Sequence, residues 1–216
     1  MIMPPGMVIF DCDGVLVDSE PISDRVIQKS LAHYGLEITV QEVSGLFLGG
    51  TIAGVADTAR GMGARLPGDW VDNIYAEIFE ALAEEVELVP GAPLVLDALD
   101  AAGIPYAVGS NGPHRKMEIT LKRTGLAARL AGRVWSREDV PNPKPAPDVY
   151  LAAAQAEGVP PERCVVIEDS PNGARAGVAA GMYTVGFAAH TDRAALLAVC
   201  DAAFDAMPEL PALLGL

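Results

Sequence analysis

From Pro90 onward the chain alternates between stretches of helical spacing and short apolar runs, and this alternation restricts the possible folds more than any other feature. Strand-like runs at 105–109, 133–135, 164–167 and 183–187 are separated by helix-like stretches near 92–102, 114–124, 147–157 and 171–180. Apart from Arg133 and Thr184 the runs are apolar instead of alternating with polar residues, which is the pattern of strands buried on both faces. Strand–helix alternation of this kind builds a parallel sheet with helices on both sides. A further run, Met7-Val8-Ile9-Phe10, supplies a first strand near the N-terminus, and the tail reads as one more short strand and a closing helix. The expected fold class is therefore α/β, with a Rossmann-like parallel sheet.

Between the first strand and Pro90 the pattern is different. Ile22, Val26, Ile27, Leu31 and Tyr34 share one helical stripe, with Pro21 suited to a first helical turn. Helix-like stretches follow at 39–47, 51–62 and 69–86, the last with Trp70, Ile74, Ile78, Leu82 and Val86 at helical spacing. No strand is expected in this block. The chain should thus divide into a core of residues 1–16 and 88–216 and an inserted helical cap domain of residues 17–87. A length of 216 residues suffices for both.

Ligands of open parallel sheets collect outside the carboxyl ends of the strands. Here the first strand ends in Asp11 and Asp13, the second in Ser110-Asn111-Gly112, and the fourth in Glu168-Asp169-Ser170. The loop Asn142-Pro143-Lys144-Pro145 lies just before a helix. Asp-Cys-Asp-Gly alone would be an ordinary turn; four polar clusters at matching positions are not. Carboxylates this close raise one another's pKa and call for a cation. Oxygen ligands without nearby His or Cys favour Mg²⁺, whose shell is completed by water or by substrate phosphate. Lys144, the one protein cation expected among these acids, would offset phosphate charge. The Ser110 hydroxyl and the N–H groups of Asn111 and Gly112 would donate to phosphate oxygens. No hydroxyl or thiol nucleophile stands beside a histidine, which leaves a carboxylate as the nucleophile.

Bulk properties narrow the partners. A net charge of −14, without a long basic cluster, excludes long-range attraction to nucleic acid or anionic membranes. Cys12, Cys164 and Cys200 share no metal or redox spacing, and the start of the sequence has neither a charged leader nor a long apolar run. A cytoplasmic monomer acting on a small molecule is the expectation.

Asp11-Cys12-Asp13-Gly14-Val15-Leu16-Val17-Asp18-Ser19, Ser110-Asn111, Lys144-Pro145 and Glu168-Asp169-Ser170-Pro171-Asn172-Gly173, in this order, resemble the four motifs of the haloacid dehalogenase-like hydrolase superfamily. The resemblance spans nearly the whole chain. It is strongest to the helical-cap subclass that includes β-phosphoglucomutase-like, phosphoglycolate phosphatase-like and phosphogluconate phosphatase-like proteins. It implies a mobile cap that closes over the site, a phosphoaspartyl intermediate on Asp11, and Asp13 as acid and base. Asp11, Asp169 and the Asp13 carbonyl would ligate Mg²⁺, with Glu168 either ligating or acting through water. The implied activity is a Mg²⁺-dependent phosphatase of a small phosphorylated metabolite, a sugar or sugar-acid phosphate. The stretch from Ser110 to Met117 is what resembles the sugar-phosphate enzymes.

Other readings stand beside this one. A dehalogenase would not need Asp13, and a phosphonate hydrolase would need a cap lysine where only Lys29 occurs. The nearest rival is a sugar-phosphate mutase, whose cap histidine and arginine are here replaced by Ser23 and Ile52. A phospho-accepting receiver would lack the helical insert. His114 is read as a solvent-facing residue at a helix start. Asp18 and Glu20 either line the site or serve as hinge and cap, and a turn at Gly49-Gly50-Thr51 is expected to face the substrate.

Overall fold

The structure is a computed structural model and describes residues 4–47 and 51–216. The turn expected at Gly49-Gly50 lies outside the described residues. Strands β1 (Met7–Phe10), β2 (Tyr106–Ser110), β3 (Val134–Ser136), β4 (Cys164–Glu168), β5 (Tyr183–Phe187) and β6 (Ala202–Phe204) form one six-stranded sheet in the order β3-β2-β1-β4-β5-β6. Every pairing is parallel. All four residues of β1 are buried, as are all five of β2 and of β4. Complete burial of the central strands is the physical reason for their unbroken apolar runs.

The chain divides into two compact units, one of 1–17 with 88–216 and one of 18–87. Val17, placed with the insert on sequence grounds, lies in the first unit. It forms isolated bridges to Asp13 and Leu88.

In the first unit the sheet crossovers run through α5 (Ala92–Ala102), α6 (His114–Arg123), α7 (Asp148–Ala156), α8 (Pro171–Ala179) and α9 (Arg193–Leu197), and the unit closes with α10 (Leu210–Leu213). On one sheet face Met7, Ile9, Ala107 and Val166 pack with Val149, Tyr150, Ala153 and Ala176, which seats α7 and α8 on the central strands. Sequence periodicity missed α9. At five residues it is too short to show a helical stripe, and its visible signal is Asp192, whose Oδ1 accepts the N–H of Ala194 at 3.1 Å.

The second unit consists of α1 (Glu20–His33), α2 (Val40–Phe47), α3 (Ile52–Gly61) and α4 (Trp70–Glu85). Ile22, Ile27 and Leu31 of α1 and Trp70, Ile74, Ile78 and Leu82 of α4 are buried. The Trp70 indole N–H, which needs an acceptor once buried, donates to Ser30 Oγ at 2.9 Å. Thr51 is the N-cap of α3, its Oγ1 accepting the Gly54 N–H at 3.1 Å. Among the described residues no helix is long and apolar enough to cross a membrane.

Candidate active site

In this strand order the chain runs outward from β1 in both directions, so the crevice between β1 and β4 is the topological switch point at which such sheets bind ligands. The Asp11 N–H bonds the Ile167 carbonyl at 2.9 Å, carrying the β1–β4 ladder past the last strand residue. The chain then turns back sharply, with the Cys12 carbonyl accepting from the N–H groups of Leu16 and Val17. Gly14 is required at this turn for two reasons. Its φ is +73°, and a β-carbon there would lie 2.1 Å from Asp169 Oδ2. The carboxylate of Asp169, delivered after β4, therefore rests directly against the loop that follows β1.

Asp11 lies beside a buried lysine. Lys144 Nζ donates to Asp11 Oδ1 at 2.6 Å and to Glu168 Oε1 at 2.8 Å, and sits 4.6 Å from the centre of the Tyr150 ring. Burial pushes the Asp11 carboxyl up to about 7; Lys144 opposes the rise, and Glu168 and Asp13 add to it. Burial would lower Lys144, but attraction to Asp11 and Glu168 outweighs it and the net shift is upward. The lysine stays charged, and the costly charge at this spot is that of Asp11.

The Lys144 loop is pinned from β2. The Asn111 Oδ1 accepts the Lys144 N–H at 2.9 Å, while Asn111 Nδ2 donates to the Lys144 carbonyl at 3.2 Å. Asn172 Nδ2 reaches the same carbonyl at 3.4 Å, and the Lys144–Pro145 peptide is cis. Asn111 thus acts through its side chain as a brace, a role the sequence did not suggest.

The Gly112 N–H, expected as a phosphate donor, has a partner within the protein: it donates to Ser110 Oγ at 2.9 Å. What Gly112 provides is space, since a β-carbon there would lie 3.2 Å from Ser110 Oγ and 3.5 Å from Asp13 Oδ2. Ser110, 1% exposed, keeps its hydroxyl proton to give.

Lys144 is also not the only cation among the acids. Lys116 Nζ pairs with Asp13 Oδ1 at 2.8 Å. Burial lowers the Lys116 pKa, Asp13 raises it, and the result is a net rise. Lys116 stands at the third position of α6, and the start of that helix is tied down. The His114 N–H donates to Glu138 Oε2 at 2.9 Å, its ring nitrogen lies 2.8 Å from Asp139, and Ser136 Oγ donates to the Gly112 carbonyl at 2.8 Å. His114 is only part-exposed, and its ring is engaged instead of simply facing solvent. Nothing in the sequence around Lys116 distinguishes it from the other basic residues of the same helix, Arg115, Lys122 and Arg123.

Glu168 is 1% exposed, and four protein donors occupy its carboxylate. Oε1 accepts from Lys144 Nζ and from the Tyr150 hydroxyl, both at 2.8 Å; Oε2 accepts from Ser170 N–H at 3.1 Å and Ser170 Oγ at 3.0 Å. A carboxylate has about four such positions, so this group is filled from within. Burial and the charge of Glu168 push the Tyr150 phenol well above its usual pKa, which keeps it a donor. Tyr150 had signalled itself only as a hydroxyl inside an apolar stripe, a group that must find a partner when buried. Gly173 makes room for this arrangement, since a β-carbon there would sit 1.6 Å from Glu168 Oε1.

Among the described residues no three His, Cys, Asp or Glu side chains gather closely enough to hold a metal ion. Of the four acids expected to hold a metal, Glu168 has its carboxylate filled by protein donors and the Asp13 carboxylate pairs with Lys116. Asp11 and Asp169 are buried, 8% and 7% exposed.

Comparison with known proteins agrees with this architecture. A family model described as haloacid dehalogenase-like hydrolase matches residues 6–181. The 6-phosphogluconate phosphatase of Escherichia coli (strain K12) is 33% identical over 184 residues, covering 84% of this chain and 82% of the relative. Hexitol phosphatase A of the same organism is 34% identical over 187 residues, covering 85% and 83%. A crystal structure of a family hydrolase from Deinococcus radiodurans R1, with bound phosphate and sodium, superposes with a TM-score of 0.85 at 37% identity, covering 99% of this chain and 96% of that one.

Proposed function

The chain belongs to the haloacid dehalogenase-like hydrolase family, and we propose that within it the protein is a Mg²⁺-dependent phosphatase of a sugar or sugar-acid phosphate that works through a phosphoaspartyl intermediate on Asp11. The observation that carries this reading is the Asp11–Lys144 pair at the end of the central strand, with Asp13 two residues on and held by a different lysine. Two acids so close can differ in role only if their surroundings differ, and here they do.

Asp11 attacks phosphorus while the ester P–O bond breaks, and Asp13 gives its proton to the departing alkoxide. Water then attacks the phosphorus of phospho-Asp11 as Asp13 takes the water's proton, and the bond to Asp11 breaks to release phosphate. Lys144 holds Asp11 and reduces its repulsion toward the incoming anion. The Ser110 hydroxyl and the Asn111 N–H donate to phosphoryl oxygens, and Asn111 also fixes the Lys144 loop.

The donors present fit a hard cation: Asp11 and Asp169 offer buried carboxylate oxygens, and burial, with the charges of Glu168 and Asp13, raises the Asp11 pKa despite Lys144. Mg²⁺ would be held by Asp11, Asp169 and the Asp13 carbonyl, and when bound it offsets phosphoryl and carboxylate charge. Glu168 supports this set from behind through Lys144 and Ser170. The relatives named for sugar-phosphate hydrolysis support the substrate class. The mutase alternative gains no observation, because Ser23 Oγ donates to the Ser19 carbonyl at 3.0 Å and Ile52 offers no charge.

The test is Asp13→Asn. With an alkyl phosphate the first step should fall by roughly 10²–10⁴, the usual worth of general acid catalysis. An aryl phosphate with an acidic phenol needs little protonation, so it should give a burst of phenol and then a slow steady state. Early quenching should leave one phosphoryl group on the peptide that contains Asp11. Equal losses on both substrates, with no phosphorylated peptide, would overturn these roles.

A further inference from the structure

We infer that Lys116 is a positioning residue for Asp13, one that sets where the acid–base carboxylate points. The inference rests on the acid–base role proposed above and adds to it the group that orients the acid.

Asp13 follows Asp11 by two residues in a tight loop, and the backbone alone does not decide which way its side chain turns. Two cations lie near these acids. Lys144 is committed to Asp11 and Glu168, both within 2.8 Å. Lys116 takes Asp13, at 2.8 Å, and the two side chains are equally and slightly exposed at 18%. The two acids are thus sorted to two lysines on different elements, one in the loop before α7 and one on α6.

The support behind Lys116 is rigid. Its helix begins at Pro113 and His114, where Glu138 and Asp139, in the 3-10 turn that follows β3, hold the His114 N–H and ring, and Ser136 holds the Gly112 carbonyl. That same turn is fixed to β3 by a capping box, with Ser136 Oγ accepting from the Glu138 N–H and the Asp139 carboxylate accepting from the Ser136 N–H. Gly112 leaves the space through which the pair meets: Asp13 Oδ2 would lie 3.5 Å and Lys116 Cδ 3.7 Å from a β-carbon at that position. Three elements therefore cooperate on the orientation of one carboxylate. A lysine present only for charge balance would not require a built support.

Loss of the ammonium should let the Asp13 carboxylate wander by an ångström or so, and misplacement on that scale costs on the order of 10²-fold in rate. The loss should fall on the proton transfers that Asp13 performs, not on binding. Lys116→Met should thus lower kcat for an alkyl phosphate by about that factor and lower it far less in the first step with an aryl phosphate of an acidic phenol. Hydrolysis of the phospho-enzyme would also slow, so a burst of phenol should appear that the unaltered protein does not show. The substrate dissociation constant, read from the concentration dependence of the first step, should stay within about two-fold for either substrate, because Lys116 is not assigned a substrate contact. Lys116→Arg should restore most of the alkyl-phosphate rate and abolish the burst.

Thermal melts of both variants separate this from a structural role. Equal first-step losses on alkyl and aryl substrates, a loss confined to the substrate dissociation constant, or Lys116→Arg behaving like Lys116→Met would each overturn the inference. An unaltered protein that releases no phosphate from either substrate would instead refute the proposed activity itself.

Discussion

Replacing Glu168 by Gln tests the buried ionic network directly, because shape is kept and only charge and one acceptor are lost. Each oxygen of Glu168 accepts from two donors, Lys144 and Tyr150 on one side and Ser170 N–H and Oγ on the other. The new NH₂ must therefore face donors wherever it is placed. The less costly placement is toward Ser170, whose hydroxyl can rotate to accept, but the Ser170 N–H is then left facing an amide. That single orphan costs about 1–3 kcal/mol. Lys144 meanwhile loses one of its two buried counter-charges, and breaking a buried pair costs about 3–5 kcal/mol. Asp11 remains beside it and softens this loss, so the two costs do not simply add. A net penalty of about 3–5 kcal/mol is expected, or a fall in melting temperature of about 6–20 °C for a chain of this size. The comparison variant is Tyr150→Phe, which removes one hydroxyl hydrogen bond and should cost only about 0.5–1.5 kcal/mol. Both would be measured by circular dichroism melts in chelator, to keep any cation out of the comparison. If Glu168→Gln melts within about 2 °C of the parent, or no lower than Tyr150→Phe, the network does not hold the site together as argued.

Four further outcomes can be checked. Chelation should abolish phosphate release and added Mg²⁺ should restore it; full turnover in excess chelator would remove the metal from the reading. In metal-free buffer, folded Asp11 keeps its proton up to about 7 whereas the unfolded chain loses it near 3.8, so raising the pH through that window removes stability. The stability difference between the parent and Asp11→Asn, from urea titrations at pH 5 and pH 8, should therefore shift against the parent by on the order of a few kcal/mol, and no shift would contradict the burial argument. Gly14→Ala must carry its side chain at φ +73° and against Asp169, so it should lose at least about 1–2 kcal/mol together with turnover; a variant equal to the parent in both would refute the close approach. Because the Asp18 N–H bonds the Glu87 carbonyl at 3.0 Å, the inserted unit can be replaced by a turn of about two residues. The product should fold and lose discrimination among sugar phosphates, and retained discrimination would place selection in the sheet unit.

How much of this was legible in the sequence depends on the range of the interaction involved. β1, β2 and β4 were legible because burial on both faces forces an unbroken apolar run, and each run ends at a residue of the site. Lys144 could be found because it stands between two prolines in a loop at a strand end. Lys116 could not, because nothing in its own surroundings marks it: it sits on a helix with Arg115, Lys122 and Arg123, and only the fold decides which of these cations meets an acid. The same holds for Asn111, whose brace to Lys144 spans thirty-three positions in sequence. The Gly112 contact was hidden for the opposite reason, since its N–H is used within two residues, in a local turn that sequence spacing does not reveal.

The division follows from what each part must satisfy. The residues proposed as nucleophile, acid and cation-holding acids are constrained by the chemistry they would perform, and here they stand at strand ends where an apolar run stops. The groups that aim them need only the right charge at the right distance, and several residue types on several elements can supply that. A support such as Lys116 or the Ser136–Asp139 turn can therefore be found only after the strands have been paired and the helix start has been placed.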